Sequence, residues 1–257
     1  MLVAGVRWYP RQRVDITQHG MITLVSQLSL KAIKKEASVN SLQKTGGIAA
    51  LYQAAAYLIG IVFYVFVLNY LSVVEPMQKL KLLVDNQTAI YVTHLLMYVI
   101  FGISLVVLSL ALYERLKTNA SAIIRIATAI GLVWAVMLIA SGLIFNVGIA
   151  PVVEIYHKDP AQAASVWLAI ESVSNGLGSA NGEILGGLWT LLLSVAALRS
   201  AGLPRLLSYL GLVVGAVGIL SAVPILNGLT GAFGMIQLVW FVWLGIVMLL
   251  PGSSKAA

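Results

Sequence analysis

The sequence predicts an all-α fold: a polytopic membrane helix bundle with six transmembrane helices and one or two amphipathic helices on the non-cytoplasmic side. Three observations carry this expectation. Of 257 residues, 60% are hydrophobic and only 10% are charged, whereas a soluble domain carries about 25% charged residues. Mean hydropathy is +0.96. The apolar residues are also gathered into runs of about 20, the length a helix needs to cross roughly 30 Å of hydrocarbon without leaving backbone groups unpaired.

Taken in chain order, residues 1–45 are polar and basic, with Arg7, Arg11, Arg13, Lys31, Lys34, Lys35 and Lys44 and no sustained helical period. They read as a cytoplasmic N-terminal segment. The apolar run from Met21 to Leu30 is short and broken by Thr23, Ser26, Gln27 and Ser29, so it is not a secretory signal peptide. Two readings of this segment stand: a cytoplasmic arm, or a translation start that properly lies at Met21 or later. Residues 46–250 form the membrane domain, with spans expected near 47–70, 89–113, 122–148, 183–198, 206–226 and 233–250. Residues 251–257 are a cytoplasmic tail.

Positive charge is retained on the cytoplasmic side of short loops. Besides the N-terminal segment, one side collects Arg115, Lys117, Arg125, Arg199, Arg205 and Lys255, while the other holds only Lys79, Lys81 and Lys158. Both termini are therefore expected in the cytoplasm. Tyr70 and Tyr91 then fall at outer helix ends, and Tyr52, Tyr113 and Tyr209 at inner ends, as an interfacial aromatic belt requires. Trp134, Trp189 and Trp240 lie deeper and read as packing mass.

The two long outer connections each carry a helix start, Glu75-Pro76 and Asp159-Pro160, an acidic cap followed by proline at the first helical position. After the second, Ala163, Val166, Trp167, Ile170 and Val173 recur at helical spacing, which predicts an amphipathic helix on or under the outer surface. The stretch from Ser174 to Gly182, with its glycines and asparagines, breaks that helix. Gly211, Gly215 and Gly218 share one face of the fifth span, which admits a second helix closely. That face suits packing within the chain or a homo-oligomer contact. Pro224 is expected to kink or end the same span.

With no cysteine, thiolate metal sites, iron–sulfur clusters and cysteine nucleophiles are excluded by inventory. No HExxH, GxSxG, Walker or GxGxxG pattern occurs in a fitting context. No cofactor and no nucleic-acid partner is implied, since the excess of Lys and Arg reports topology. Asp, Glu, Lys and Arg are absent from the expected midplanes, which removes proton-pump, voltage-sensor and retinal-protein readings. What remains is a layer of polar residues toward the outer ends of the spans: Asn69, His94, Asn146, Glu183 and Gln237, with Asn227 beside them. These form the candidate ligand-binding layer, converging on a cavity that opens outward. A metal reading uses His94, Glu154, His157 and Glu171, because Glu154 and His157 are three apart on one helical face and imidazole with carboxylate suits zinc or iron.

At residues 40–51 (Asn40-Ser41-Leu42-Gln43-Lys44-Thr45-Gly46-Gly47-Ile48-Ala49-Ala50-Leu51), 84–88 (Val84-Asp85-Asn86-Gln87-Thr88), 158–164 (Lys158-Asp159-Pro160-Ala161-Gln162-Ala163-Ala164) and 202–205 (Gly202-Leu203-Pro204-Arg205) the chain resembles a bacterial family of six-span membrane proteins catalogued only as a domain of unknown function. The resemblance covers roughly residues 40–250. It implies a bacterial inner membrane, so that the outer side is periplasm, and it implies no catalytic or binding residue. Three functions are expected in descending order. The first is a non-enzymatic bundle that binds a small apolar or amphipathic ligand or a partner helix. The second is a small-solute or lipid transporter, and the third a metal-dependent membrane enzyme using His94 with Glu171 or Glu183.

Overall fold

The computed structural model describes residues 18–118, 120–178 and 183–250. Among them, all regular structure is helical. The chain divides at Ser41, with the membrane bundle in the unit that begins at Leu42. The tail 251–257 and the first residues of the N-terminal segment lie outside the described residues. Within that segment the helix already starts at Gln18, earlier than its polar composition suggests.

Helix α1 (Gln18–Ile61) passes into a π-helical turn, Val62–Val67. A short amphipathic helix α2 (Pro76–Asp85) follows. The next span runs as α3 (Gln87–His94), a second π-helical turn (Leu95–Ile100) and α4 (Phe101–Leu116). Then come α5 (Ser121–Tyr156), α6 (Pro160–Gly178), α7 (Ile184–Ser200), α8 (Arg205–Leu220) and α9 (Leu229–Leu249). Both acidic-proline starts behave as caps: Glu75 accepts from the Gln78 amide at 2.7 Å, and Asp159 accepts from Ala161 and Gln162 at 3.0 Å each.

The expected six spans are corrected to four. Ser41–Val67, Gln87–Leu116, Ala122–Tyr156 and Leu229–Leu249 are long and apolar enough to cross, whereas Ile184–Ser200 and Arg205–Leu220 are apolar but shorter. At 17 and 16 residues, α7 and α8 reach only about 25 Å, less than the hydrocarbon thickness. The reason is local. Ala201 adopts a left-handed φ of 50° and stops α7, and Pro224, which cannot donate to a helix, forces the chain out after Leu220. The expected spans 183–198 and 206–226 already stopped near these breaks; each short apolar run was counted as a full crossing.

Instead, α7 and α8 form an antiparallel hairpin packed against α5 and α9, with Leu206, Tyr209, Val213 and Leu220 left on the exposed face of α8. A Cβ added to Gly187 would meet the Ile219 nitrogen at 2.7 Å and the Gly215 oxygen at 2.8 Å, and one on Gly211 would strike Ser194. The Gly211, Gly215 and Gly218 face is thus filled by α7 of the same chain. Of the two readings of that face, packing within the chain is the one the structure bears out, and no room is left there for a second copy. At the far end of the hairpin the Glu183 amide donates to Ser221 Oγ at 3.0 Å.

Helix α6 also departs from expectation. It does not lie flat on the outer surface but runs back along α5 into the bundle. Ser141 and Ser174 lock the two together: Ser141 Oγ donates to the Ser174 carbonyl at 2.8 Å and Ser174 Oγ to the Ser141 carbonyl at 3.1 Å. Ile170 fills the space above Gly148. Burial of Ala163, Trp167, Ser174 and Gly178 follows.

Two apolar cores result. The larger is built on Phe101, Leu105, Trp134, Trp189, Trp240 and Phe241 between α1, α4, α5, α7, α8 and α9. The smaller joins Leu80, Leu83, Ile90, Phe145, Val152 and Trp167 where α2, α3, α5 and α6 meet. Outward, Ile126, Val133, Val136, Leu143, Ile144 and Val147 leave an apolar stripe along α5, the surface that lipid covers. At the opposite end from α6, Arg115 donates to the Gly202 carbonyl at 2.8 Å and to Gln43 Oε1 at 3.2 Å, tying α1, α4 and the α7–α8 turn.

Candidate binding cavities

A partly open cavity of about 310 Å³ lies beside the smaller core. Both π-helical turns face it, one supplying Tyr64 and the other Met97 and Tyr98. A π turn inserts an extra residue and re-aims the side chains around it, and such turns recur at functional sites. Tyr64 shares a 2.6 Å hydrogen bond with His94 Nδ1. The His94 ring stacks between Phe145, at 3.5 Å, and Tyr98, at 4.9 Å. Across the cavity, the Tyr70 hydroxyl donates to Glu171 Oε1 at 2.6 Å, and the Lys79 ammonium sits 5.1 Å above the Tyr70 ring. Burial is the main reason the Tyr70 hydroxyl holds its proton more tightly than usual, and the Glu171 carboxylate adds to it. Trp167 closes one wall, with its ring edge against Phe145.

A second, smaller cavity of about 80 Å³ shares Met97 and Tyr98 with the first. Its other walls are Ala56, Tyr57, Phe101, Trp134, Leu138, Gly178 and Glu183. Those residues of α1, α4 and α5 are near the middle of their spans. Glu183 is therefore deeper than its expected place at an outer helix end, because α6 carries the chain down into the bundle before α7 begins. Its Oε2 is buried and has no hydrogen-bond partner among the described residues. Loss of water pushes its carboxyl above the ordinary range.

The expected polar layer is dispersed. His94 lines the larger cavity, beside α6 and called the outer one from here on, and Glu183 the smaller cavity at mid-span, called the inner one. Asn69 sits at the end of the first π turn with a left-handed φ of 47°, lining a separate exposed groove with Gln78, Lys81 and Asp85. Asn146 turns to another face and donates to the Tyr91 carbonyl at 3.2 Å, joining α5 to α3. Gln237 is fully buried and accepts from Thr190 at 3.2 Å, linking α9 to α7.

The metal set is also corrected. Among the described residues no three His, Cys, Asp or Glu side chains stand close enough to hold an ion. Glu154 is exposed and paired with Lys158 at 2.8 Å, and His157 lies beside Tyr156. Only His94 and Glu171 share a cavity, and each is engaged by a tyrosine. Among the described residues lining that cavity there is no serine or threonine.

Sequence reasoning missed Tyr64, Tyr98, Phe145 and Lys79, and it read Tyr70 as an interfacial belt residue and Trp167 as a surface stripe. The usable signal was the crowding of aromatic residues toward one end of the chain's spans, which a lipid interface and a ligand cavity produce alike.

A family described as "Domain of unknown function (DUF4386)" matches residues 53–250. No curated protein and no solved structure matches the chain.

Proposed function

The chain belongs to the DUF4386 family, and we propose that it is a non-enzymatic membrane bundle whose outer cavity binds a small apolar or amphipathic molecule. One observation carries this reading: a space of about 310 Å³ walled by Phe145, Trp167, Tyr98 and Leu83, with a few polar groups, Glu171, Tyr70 and His94, gathered in it. That combination of apolar walls and sparse convergent polar groups is what small-molecule sites share. The aromatic walls take the ligand's body, and the Glu171 carboxylate accepts from a hydroxyl or amine at its head.

The test is to purify the protein in native lipid discs and identify copurifying small molecules by mass spectrometry, then titrate the recovered compound. Glu171→Gln is expected to weaken its binding about tenfold, as loss of one charge-assisted hydrogen bond does. Recovery of bulk lipid alone, or an unchanged affinity in the variant, would overturn the assignment.

A second reading, transport, is favoured by the break between α6 and α7. Helices interrupted inside a bundle are tolerated where they line a cavity, and transporters build their sites from them. Flux of the same compound into proteoliposomes separates the two.

We further propose a bacterial inner-membrane location with both termini cytoplasmic. This rests on the cationic residues clustered at the Arg115 end, against the exposed acidic-proline caps at the other. Single cysteines introduced into this cysteine-free chain check it. Lys158→Cys is expected to react with an impermeant maleimide in intact cells, and Lys117→Cys only after permeabilisation. The reverse pattern would invert the topology.

A further inference from the structure

The inner cavity joins three features that have no structural use together. It is a small, partly open space at mid-span, it is walled by aromatic rings from four helical elements, and it contains a buried carboxyl oxygen, Glu183 Oε2, without a hydrogen-bond partner among the described residues. We propose that it is a binding site for a small organic ammonium group, held by Glu183 against the rings of Tyr57, Tyr98, Phe101 and Trp134.

The chemistry selects this class of ligand. A neutral apolar guest would leave Glu183 Oε2 as isolated as before, and an isolated buried polar atom is costly. A divalent metal needs several oxygen or nitrogen ligands, and the cavity offers one carboxylate. An alkylammonium carries its charge on a greasy, weakly hydrated surface. Aromatic faces attract such a cation, most strongly where water is excluded, and the carboxylate neutralises it. The rings are arranged around the space rather than stacked on one another: Tyr57 and Phe101 meet edge to face at 5.7 Å, and Phe101 and Trp134 at 6.0 Å. Gly186 keeps the Trp134 ring and Glu183 close together. A Cβ there would lie 2.8 Å from Trp134 Cζ2 and 3.2 Å from Glu183 Oε2.

Entry is through the wall shared with the outer cavity. Met97 is a flexible thioether, and it is seated over Gly60, where any side chain would collide with it. This site goes beyond the outer-cavity assignment and does not depend on it, since none of its ring or carboxyl groups other than Tyr98 lines the outer space.

Binding is coupled to a proton. The titratable groups facing Glu183 are the phenols of Tyr57 from α1 and Tyr98 from the π turn. Helix α5 contributes Trp134 and Leu138, α6 contributes Gly178, and α8 contributes Ser221, none of which titrates. Because burial favours the protonated carboxyl, an arriving ammonium displaces that proton, so affinity rises with pH until Glu183 is ionised in the free protein.

The experiment uses the full chain in lipid discs, with calorimetric titration of tetramethylammonium and of its neutral isostere neopentane. Saturable tetramethylammonium binding, weakened at least tenfold in Glu183→Gln, retained in part by Glu183→Asp and stronger at pH 9 than at pH 6, is expected. Glu171→Gln should leave it unchanged, which keeps this site's outcome separate from that of the outer cavity. Absence of saturable binding to wild type, equal binding of the neutral isostere, or a Glu183→Gln variant that is folded and binds like wild type would overturn the proposal.

Discussion

Leucine in place of Gly187 is expected to prevent α7 and α8 from docking, with a loss of more than about 3 kcal/mol, the upper range for overpacking. The size of the effect comes from what surrounds the glycine. Any Cβ there meets main-chain atoms, the Ile219 nitrogen, the Gly215 oxygen and the Gly218 carbonyl carbon, all within 3.0 Å. Backbone held in two antiparallel helices cannot swing aside as a side chain would. Gly231, whose Cβ position is open, supplies the control. Gly231→Leu should change stability by no more than about 0.5 kcal/mol. The measurement is the monodisperse yield in detergent and the thermal midpoint of each variant, and equal behaviour of the two would refute the close hairpin.

Trp189→Ala is expected to cost about 3 kcal/mol, at the low end for removing a buried tryptophan. The ring is fully buried and lies 5.7 Å from Trp134, 5.9 Å from Trp240 and 6.3 Å from Phe241, so one side chain joins α5, α7 and α9. In water, much of such a loss is the transfer of apolar surface. In a bilayer the unfolded helices already sit in hydrocarbon, so the remaining penalty is lost dispersion across a cavity that rigid helices cannot close. Unfolding by denaturant in mixed micelles reads it, and a midpoint unchanged from wild type would mean the three rings do not form one core.

Much of this architecture was legible in the chain. Hydropathy identified the four long spans, and Trp134, Trp189 and Trp240 were placed in the packed interior, where they lie. The acidic-proline pairs named both helix starts, since capping is local chemistry that tertiary structure leaves in place. The miscounted spans came from the opposite circumstance. Apolar composition marked both short runs, and Pro224 was expected to kink or end the second of them, but composition does not say whether a run of 16 or 17 residues crosses the membrane or packs as one arm of a hairpin. The site was less legible still. Whether His94 and Glu183 share a cavity depends on which way α6 runs, and that is decided by Ser141 and Ser174, two small residues with no signature of their own. The two π turns bring Tyr64 and Tyr98 to the cavity, and in the second the Tyr52 hydroxyl donates to the Leu96 carbonyl at 2.8 Å. No periodicity rule anticipates them.

The apolar stripe on α5 from Ile126 to Val147 is about 32 Å long at helical rise, close to the hydrocarbon thickness. Phe145, in the wall of the outer cavity, is therefore at the height where acyl chains give way to headgroups. For the guest proposed for that cavity, the oily phase at this height is a reservoir alongside water. The guest's local supply then follows its partition coefficient: each added methylene brings about 0.8 kcal/mol of preference for the lipid, roughly a fourfold enrichment. Potency ranked by aqueous concentration would mistake greasiness for fit, so competing compounds have to be compared by mole fraction in the membrane.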